Sequence, residues 1–130
     1  MTREQQNNLL LVDDDEALLN LLEGILKNEG YNITIATDGT AAIDLIKQNQ
    51  YDLILLDIKM QTVNGFSVLK FVKEQYTATK VIMLTAFGDI KNAIVSKVMG
   101  ADGFIEKPPL RDELVLTIKD MLVCDKLQTD

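Results

Sequence analysis

The sequence contains no histidine and only one cysteine, Cys124, among its 130 residues. Without an imidazole, the chain cannot by itself complete a Ser-His-Asp triad, a histidine-ligated zinc site or a histidine relay. A single thiol cannot form an internal disulfide, which is typical of a reducing compartment, so we predict a cytoplasmic location. If histidine chemistry belongs to the function, a partner must supply it.

Positive charge and long apolar runs are also scarce. The 13 Lys and Arg residues stand against 20 Asp and Glu, which gives a formal net charge of -7. Binding to nucleic acid or to an anionic membrane needs clustered positive charge, so neither is expected of this chain. No apolar run approaches the roughly eighteen residues of a membrane-spanning helix, and the initial MTREQQNN lacks the apolar centre of a signal peptide.

The hydrophobic content is sufficient for one ordinary core. Hydrophobic residues make up 47% of the chain, and seven glycines with two prolines are too few for a disordered protein. We therefore expect a single domain over residues 1–130, with its core at about 8–123 and a polar tail at each end.

Short apolar runs alternate with longer amphipathic stretches, five of each. The short runs begin at Leu9, Ile33, Leu53, Val81 and Gly103. In the longer stretches apolar residues recur at helical spacing, and these stripes are predicted to face the core; they include Leu21, the set Ile90, Ala93, Ile94 and Val98, and Leu110. The pattern predicts an α/β fold with a doubly wound, five-stranded parallel sheet and five helices, in which the alternating second run lies near an edge.

Chemically active side chains follow four of the five apolar runs. Asp13, Asp14 and Asp15 follow the first run, Asp57 the third, Thr85 the fourth and Lys107 the fifth. Sites in doubly wound sheets form at the carboxyl ends of the strands, so we expect these groups to converge there. Asp15 is the exception, because it is placed to cap the first helix.

Such a cluster of carboxylates is unfavourable without a cation. Two unit charges about 5 Å apart repel by roughly 3 kcal/mol at an effective dielectric constant near 20. Oxygen ligands without His or Cys suit Mg²⁺ or Mn²⁺, which typically join one or two carboxylates to phosphoryl oxygens. The cluster predicts a divalent metal site beside a bound phosphoryl group, with Thr85 as a donor to it and Lys107 neutralising its charge.

The sequence from about Leu9 to Leu122 resembles the receiver domain of bacterial two-component response regulators. The motifs occur in the family's order: Leu-Val-Asp-Asp at 11–14, Leu-Leu-Asp at 55–57, Leu-Thr-Ala at 84–86 and Ile-Glu-Lys-Pro at 105–108. The resemblance implies the flavodoxin-like strand order 2-1-3-4-5. It also implies a cis peptide bond between Lys107 and Pro108.

The resemblance further implies a role for each site residue. Asp57 would be the nucleophile that becomes an acyl phosphate. Asp14, Asp57 and the backbone carbonyl of Lys59 would bind Mg²⁺ directly, and Asp13 would bind it through water. Thr85 would turn toward the phosphoryl group, and the aromatic Phe104 would change its packing with it.

Two further positions of the family affect how water reaches the phosphoryl group. They correspond to Lys59, two residues beyond Asp57, and to Phe87, two residues beyond Thr85. We expect the bulky Phe87 ring to shield the phosphoryl group and to lengthen its lifetime relative to a Phe87→Ala variant.

The implied function is phosphoryl transfer to Asp57 from the phosphohistidine of a sensor histidine kinase or a phosphotransfer protein, followed by slow hydrolysis. Such a domain is not an enzyme toward other substrates, since it promotes only its own phosphorylation and dephosphorylation. Downstream, it would contact a protein target or a second copy of itself. Leu116 and Val123 fall opposite the core stripe of the fifth helix and are candidates for that contact.

Two alternatives compete with this interpretation. A flavin or nucleotide binder on the same fold would need a Gly- or Ser/Thr-rich phosphate loop after the first strand, where this chain has three aspartates. The second alternative is a receiver-like module that signals by protein contact without turning over phosphate. The complete set of Asp14, Asp57, Thr85 and Lys107 argues against that module.

Overall fold

The computed structural model describes residues 7–60 and 63–128, with backbone only for 124–128. Strands and helices alternate along the chain in this order: β1 (Asn8–Val12), α1 (Glu16–Asn28), β2 (Asn32–Ala36), α2 (Gly39–Gln48), β3 (Leu53–Asp57), α3 (Gly65–Gln75), β4 (Lys80–Thr85), α4 (Ile90–Val98), β5 (Gly103–Glu106) and α5 (Arg111–Gln128). The last helix thus continues past residue 123, where the sequence predicted the core to end. The outer parts of the predicted tails, residues 1–6 and 129–130, lie outside the described residues.

The five strands form one parallel sheet in the order β2-β1-β3-β4-β5. This confirms the expected strand order 2-1-3-4-5. It also confirms that the second strand lies at an edge. Strands β1 and β3 lie inside the sheet, and from Leu9 to Val12 and from Leu53 to Asp57 every residue is buried. Such continuous burial is typical of parallel strands covered by helices on both faces.

Two hydrophobic clusters lie on opposite faces of the sheet. One joins Leu10, Ile54 and Met83 of the strands to Val68 and Leu69 of α3 and to residues of α2. The other joins strand residues such as Leu9 and Leu55 to Leu19, Leu22 and Leu26 of α1 and to Leu114 and Ile118 of α5. Because adjacent strand residues point to opposite faces, consecutive leucines supply both clusters. No helix among the described residues is long and apolar enough to cross a membrane.

The prediction that every apolar stripe faces the core is wrong for α4. Its Ala93 is buried, but Ile94 and Val98 are 58% and 82% exposed, and Ile90 is also exposed. The same correction applies to Leu21 of α1 and to Leu110, just before α5, both of which are exposed. Periodicity identifies residues that share a helix face, but it does not show that another element covers that face.

The cap predicted for the first helix is confirmed. Asp15 caps α1, where its Oδ1 accepts a hydrogen bond from the Leu18 N–H at 3.1 Å, and Asp38 caps α2 by accepting from the Ala41 N–H at 2.8 Å. Gly30 follows the end of α1 with φ of +98°, a conformation that glycine adopts readily. The two aspartate caps lie in loops at the carboxyl edge of the sheet, whereas Gly30 lies in a loop at the amino edge.

Candidate functional site

Three of the predicted site residues contact one another directly. Lys107 reaches back from the end of β5 toward the centre of the sheet, where its Nζ lies 2.8 Å from Asp13 Oδ2 and 3.0 Å from Asp57 Oδ1. Asp57 ends β3 and Asp13 follows β1, its neighbour in the sheet. The convergence predicted from the strand ends is therefore present.

The three aspartates differ in exposure. Asp13 is fully buried and Asp57 is 5% exposed, whereas Asp14 is exposed at the mouth of the site. One carboxylate oxygen from each of them lies within 4.8 Å of the others. Asp15 is not part of this group, because its side chain caps α1 while its N–H donates to Asp13 Oδ1 at 2.9 Å. The site therefore combines two buried carboxylates with one accessible carboxylate.

This donor set fits a divalent cation. It contains only oxygen ligands, and Mg²⁺ is commonly held by one or two carboxylates while it retains several waters. Apart from the ion pair with Lys107, Asp13 Oδ2 has no hydrogen-bond donor among the described residues. Two buried carboxylates that share one ammonium are unfavourable unless a further cation or water completes the site. Lys107 alone leaves this cluster with excess negative charge.

The environment changes the acid-base properties of Asp57 and Lys107. Burial raises the pKa of Asp57, and the adjacent Asp13 raises it further, while the hydrogen bond and positive charge of Lys107 offset this effect only in part. For Lys107, burial acts to lower the pKa, but the hydrogen bonds and attraction to Asp13 and Asp57 outweigh it and the pKa is raised. Lys107 therefore remains an ammonium, and it stabilises the ionised form of Asp57.

Thr85 lies at the end of β4, next to the strand that carries Asp57. It is 2% exposed, and its hydroxyl oxygen has no hydrogen-bond partner within the described chain. Its carbonyl accepts a hydrogen bond from the Lys107 N–H at 2.7 Å, and the Lys107–Pro108 peptide bond is cis as expected. The unpaired hydroxyl leaves Thr85 free to donate to a group that binds beside Asp57.

Two small cavities adjoin Thr85 and Asp57. A cavity of about 220 Å³ lies over Asp57 and is lined by Asp14, Ile58, Lys59, Leu84, Ala86, Asp89 and Lys107. A cavity of about 250 Å³ lies under α4, and its surface is mostly apolar. It is lined by Ile90, Ala93, Ile94 and Phe104 together with Thr85, Asp89, Lys97 and Glu106. Phe104 is 46% exposed. The cavity over Asp57 therefore has space for a phosphoryl group, and the cavity under α4 has space for a change in packing. Both lie near the end of β4.

A larger cavity has no comparable chemistry. It has a volume of about 480 Å³ and lies at the amino ends of β1 and β3, where Tyr51, Asp52 and Tyr76 are among its lining residues. The carboxylate of Asp52 already accepts a hydrogen bond from the Asn8 N–H at 2.7 Å. The smaller cavity over Asp57 is thus the better candidate, since charged groups converge there.

The expectation that Phe87 shields the site has no support in the structure. The Phe87 side chain is 81% exposed and is not among the residues that line the cavity over Asp57. Asp89 occupies the wall of that cavity instead. Asp89 was not predicted as a site residue, although it lies four residues beyond Thr85 and aspartate is a favoured helix cap.

Gly65 is a second residue near Asp57 that was not predicted to belong to the site. Its N–H donates to the carbonyl of Ile58 at 2.7 Å, which closes the loop behind Asp57. A Cβ at this position would lie 2.8 Å from Ile58 Cα and would overlap the carbonyl oxygen of Asp57. Only glycine permits this approach of two backbone segments.

The sequence also matches a family model. Residues 9–119 match the response regulator receiver domain. This chain belongs to that family. Receiver domains are phosphoacceptor signalling domains of two-component systems, and the acidic cluster around Asp13 and Asp57 is consistent with that function.

Relatives and solved structures agree with the assignment. The chain is 41% identical over 116 residues to the transcriptional regulatory protein CpxR of Escherichia coli, a match that covers 89% of this chain and 49% of CpxR. It is 33% identical over 127 residues to a putative NtrX-like response regulator of Rickettsia felis, covering 96% of this chain and 27% of that protein. The chain thus spans half or less of these relatives.

Among solved structures, the receiver domain of NtrX from Brucella abortus superposes with a TM-score of 0.84 at 34% identity, covering 88% of this chain and 97% of that one. A CheY-like receiver domain protein from Methanospirillum hungatei superposes with a TM-score of 0.91 at 31% identity, covering 95% and 99%. The similarity therefore extends over nearly the whole domain.

Proposed function

We propose that Asp57 accepts a phosphoryl group from the phosphohistidine of a sensor histidine kinase or a phosphotransfer protein. The observation that carries this proposal is the position of its buried carboxylate, 3.0 Å from the Lys107 ammonium and within the cluster of three carboxylates. An Asp57 oxygen attacks phosphorus, a P–O bond forms, and the P–N bond breaks with its electron pair returning to the imidazole nitrogen. The chain's own lack of histidine agrees with this direction of transfer.

Each neighbouring group has a distinct part in the transfer. Asp14 and Asp57, with the backbone carbonyl of Lys59, would hold Mg²⁺ or Mn²⁺ directly, and Asp13 would hold it through water. When bound, that ion supplies positive charge to the phosphoryl oxygens. Lys107 balances the negative charge that accumulates in the transition state, and Thr85 donates its unpaired hydroxyl to a phosphoryl oxygen.

Hydrolysis resets the domain. A water oxygen attacks phosphorus, the bond between phosphorus and the Asp57 oxygen breaks, and inorganic phosphate leaves while the carboxylate keeps the electron pair. The domain thus promotes only its own phosphorylation and dephosphorylation. The signal is a change in packing in which Thr85 turns toward the phosphoryl group and Phe104 moves with it, and the cavity of about 250 Å³ under α4 provides room for that movement.

Intact mass after incubation with acetyl phosphate and Mg²⁺ tests the proposal. We expect the wild-type chain to gain one phosphoryl group, and we expect hydroxylamine, which cleaves acyl phosphates, to remove it. Asp57→Asn is expected to gain none, and chelation of Mg²⁺ is expected to prevent the gain. Asp44→Asn, which changes an exposed aspartate on α2, is the matched control and should be phosphorylated like wild type.

A negative result would favour the second candidate function. If the wild-type chain gains no mass although it is folded, the receiver-like interaction module without phosphate turnover becomes the better interpretation. A mass gain that persists in Asp57→Asn would instead assign the phosphoryl group to another residue.

The α5 surface is a candidate contact for a downstream target or a second copy of the chain. Leu116 and Val123 are 58% and 52% exposed, as predicted. If the contact is with a second copy, phosphorylation is expected to shift the sedimentation coefficient of wild type, and Leu116→Glu is expected to abolish that shift. Asp120→Lys, an exposed change on the same helix, is the control. A shift that survives in Leu116→Glu would exclude Leu116 from the contact.

The remaining expectations are consistent with this role. The net charge of -7 supports the prediction that this domain does not bind nucleic acid directly. A cytoplasmic location stays a prediction, supported by the single cysteine. The assignment of residues 1–130 to one domain likewise stays a prediction, and the single described sheet supports it.

A further inference from the structure

Asp89 lines both the cavity over Asp57 and the apolar cavity under α4. No other residue in the described part of the chain is common to these two walls. The cavity over Asp57 is where the phosphoryl group is proposed to bind, and the cavity under α4 is where the packing is proposed to change. Asp89 is therefore placed where a change of charge in the first cavity acts directly on α4.

Hydrogen bonds hold Asp89 rigidly in this position. It is the N-cap of α4, and its carboxylate accepts from the Asn92 N–H at 3.2 Å and from Asn92 Nδ2 at 2.7 Å. Its own N–H donates to the carbonyl of Ala86 at 3.0 Å, which fixes the short loop that leads from Thr85. A force on the Asp89 carboxylate is therefore transmitted to the first turn of the helix.

Lys59 lines the same cavity as Asp89, together with a second cation, Lys107. The pKa of Asp89 is lowered, chiefly by its hydrogen bonds with Asn92 and to a smaller extent by the charges of Lys59 and Lys91. The ammonium of Lys59 thus acts on the carboxylate of Asp89 across a cavity that also contains the Asp57 carboxylate. A phosphoryl group on Asp57 would replace the single negative charge of the carboxylate by an acyl phosphate with about two, so about one further negative charge would enter that space.

We propose that Lys59 is shared between two anions, Asp89 in the unphosphorylated domain and the phosphoryl group after transfer. This inference rests on the proposed function of Asp57. The phosphoryl group, having the larger charge, draws the Lys59 side chain away and leaves the Asp89 carboxylate without the charge of Lys59. Asp89 is then a positioning residue: it weakens binding of the phosphoryl group while it transmits that binding to α4.

A double-mutant cycle tests the sharing, with beryllofluoride in the presence of Mg²⁺ as the phosphoryl mimic. Asp89→Asn removes the charge but retains the cap, since asparagine caps helices about as well as aspartate. We expect this variant to bind beryllofluoride about fivefold more tightly than wild type, at the lower end of allosteric couplings. In a Lys59→Gln background, which leaves the backbone carbonyl of residue 59 in place, the same change is expected to gain less than about twofold.

Amide exchange of α4 gives a second readout. In wild type, beryllofluoride is expected to change the exchange rate in the first turn of α4 by about fivefold, and in Asp89→Asn by less than about twofold. If Asp89 were only a cap, Asp89→Asn would match wild type in both measurements, and that result overturns the inference. An equal gain in affinity with and without Lys59 also overturns it, because plain repulsion would then suffice.

The outcome is separable from that of the proposed function. A chain that gains no phosphoryl mass and binds no beryllofluoride overturns both proposals. A chain that is phosphorylated at Asp57 but shows no coupling between positions 59 and 89 overturns only the sharing of Lys59.

Discussion

Gly65→Ala is expected to lower the free energy of unfolding by about 3 kcal/mol, at the upper end for an overpacked site. The added Cβ would overlap the carbonyl oxygen of Asp57 and lie 2.8 Å from Ile58 Cα, and both are backbone atoms that cannot turn aside as a side chain does. The loop must therefore shift, and the hydrogen bond from the Gly65 N–H to the Ile58 carbonyl is lost. Because this loop follows Asp57 directly, the rate of phosphorylation should fall as well.

Urea denaturation of Gly65→Ala and Gly24→Ala provides the comparison. Gly24 lies inside α1, where a Cβ would meet nothing within 4 Å. The same chemical change should therefore stabilise the protein there by roughly 0.5–1 kcal/mol, as glycine is unfavourable in helices. Gly65→Ala is thus expected to lower the free energy of unfolding, and Gly24→Ala to raise it. Equal effects would show that the close approach at Gly65 is relieved without cost.

Lys107→Gln is expected to reduce the rate of phosphorylation by roughly 10²- to 10³-fold, as is typical when one stabilising group is removed from a reacting site. It should also lower the free energy of unfolding at neutral pH by about 3 kcal/mol, because it leaves two buried carboxylates without their ammonium. Lys107 is 28% exposed, which places the cost at the lower end for a broken buried pair.

The cost of Lys107→Gln should depend on pH in a defined direction. The pKa of Asp57 in the folded state is already raised by burial, and removal of Lys107 must raise it further. An acid whose pKa is higher in the folded than in the unfolded state destabilises the fold as pH rises through that interval. The difference between wild type and Lys107→Gln is therefore expected to shrink as the pH is lowered and Asp57 becomes protonated.

Lys119→Gln is the matched control for this measurement. Its Nζ lies 3.8 Å from Glu29 Oε1, and its side chain is 54% exposed, so the pair should contribute no more than about 1 kcal/mol. Chemical denaturation of both variants across the acidic range to neutral pH measures the two costs. A cost for Lys107→Gln that equals that of Lys119→Gln, or that does not change with pH, would contradict the account of the site.

The strand ends were predictable because their chemistry depends on topology alone. Once β1, β3, β4 and β5 are parallel, Asp13, Asp57, Thr85 and Lys107 must leave the sheet at one edge. The contacts between these side chains could not be predicted from the topology. The ion pair of Lys107 with both Asp13 and Asp57 depends on the path of the chain after β5, for which a sequence pattern gives no distance.

The errors in the predicted core have a physical cause as well. A hydrophobic stripe records that apolar side chains lie on one side of a helix, and α1 and α4 both have such a stripe. In α1 the neighbouring α5 helps to bury Leu19 and Leu22, whereas α4 leaves Ile94 and Val98 exposed. Whether a helix surface is covered depends on its neighbours in three dimensions, and Asp89 was missed as a site residue for the same reason.

The residues proposed for the chemistry and the residue proposed to change its packing are attached to different parts of the sheet. The acidic residues are attached to β1 and β3, which have hydrogen-bonded neighbours on both sides, while Phe104 belongs to the four-residue border strand β5. The free-energy cost of local opening is lower for an edge strand than for interior strands. Repeated rounds of signalling would accordingly deform the periphery and leave the scaffold that aligns the reactants undisturbed.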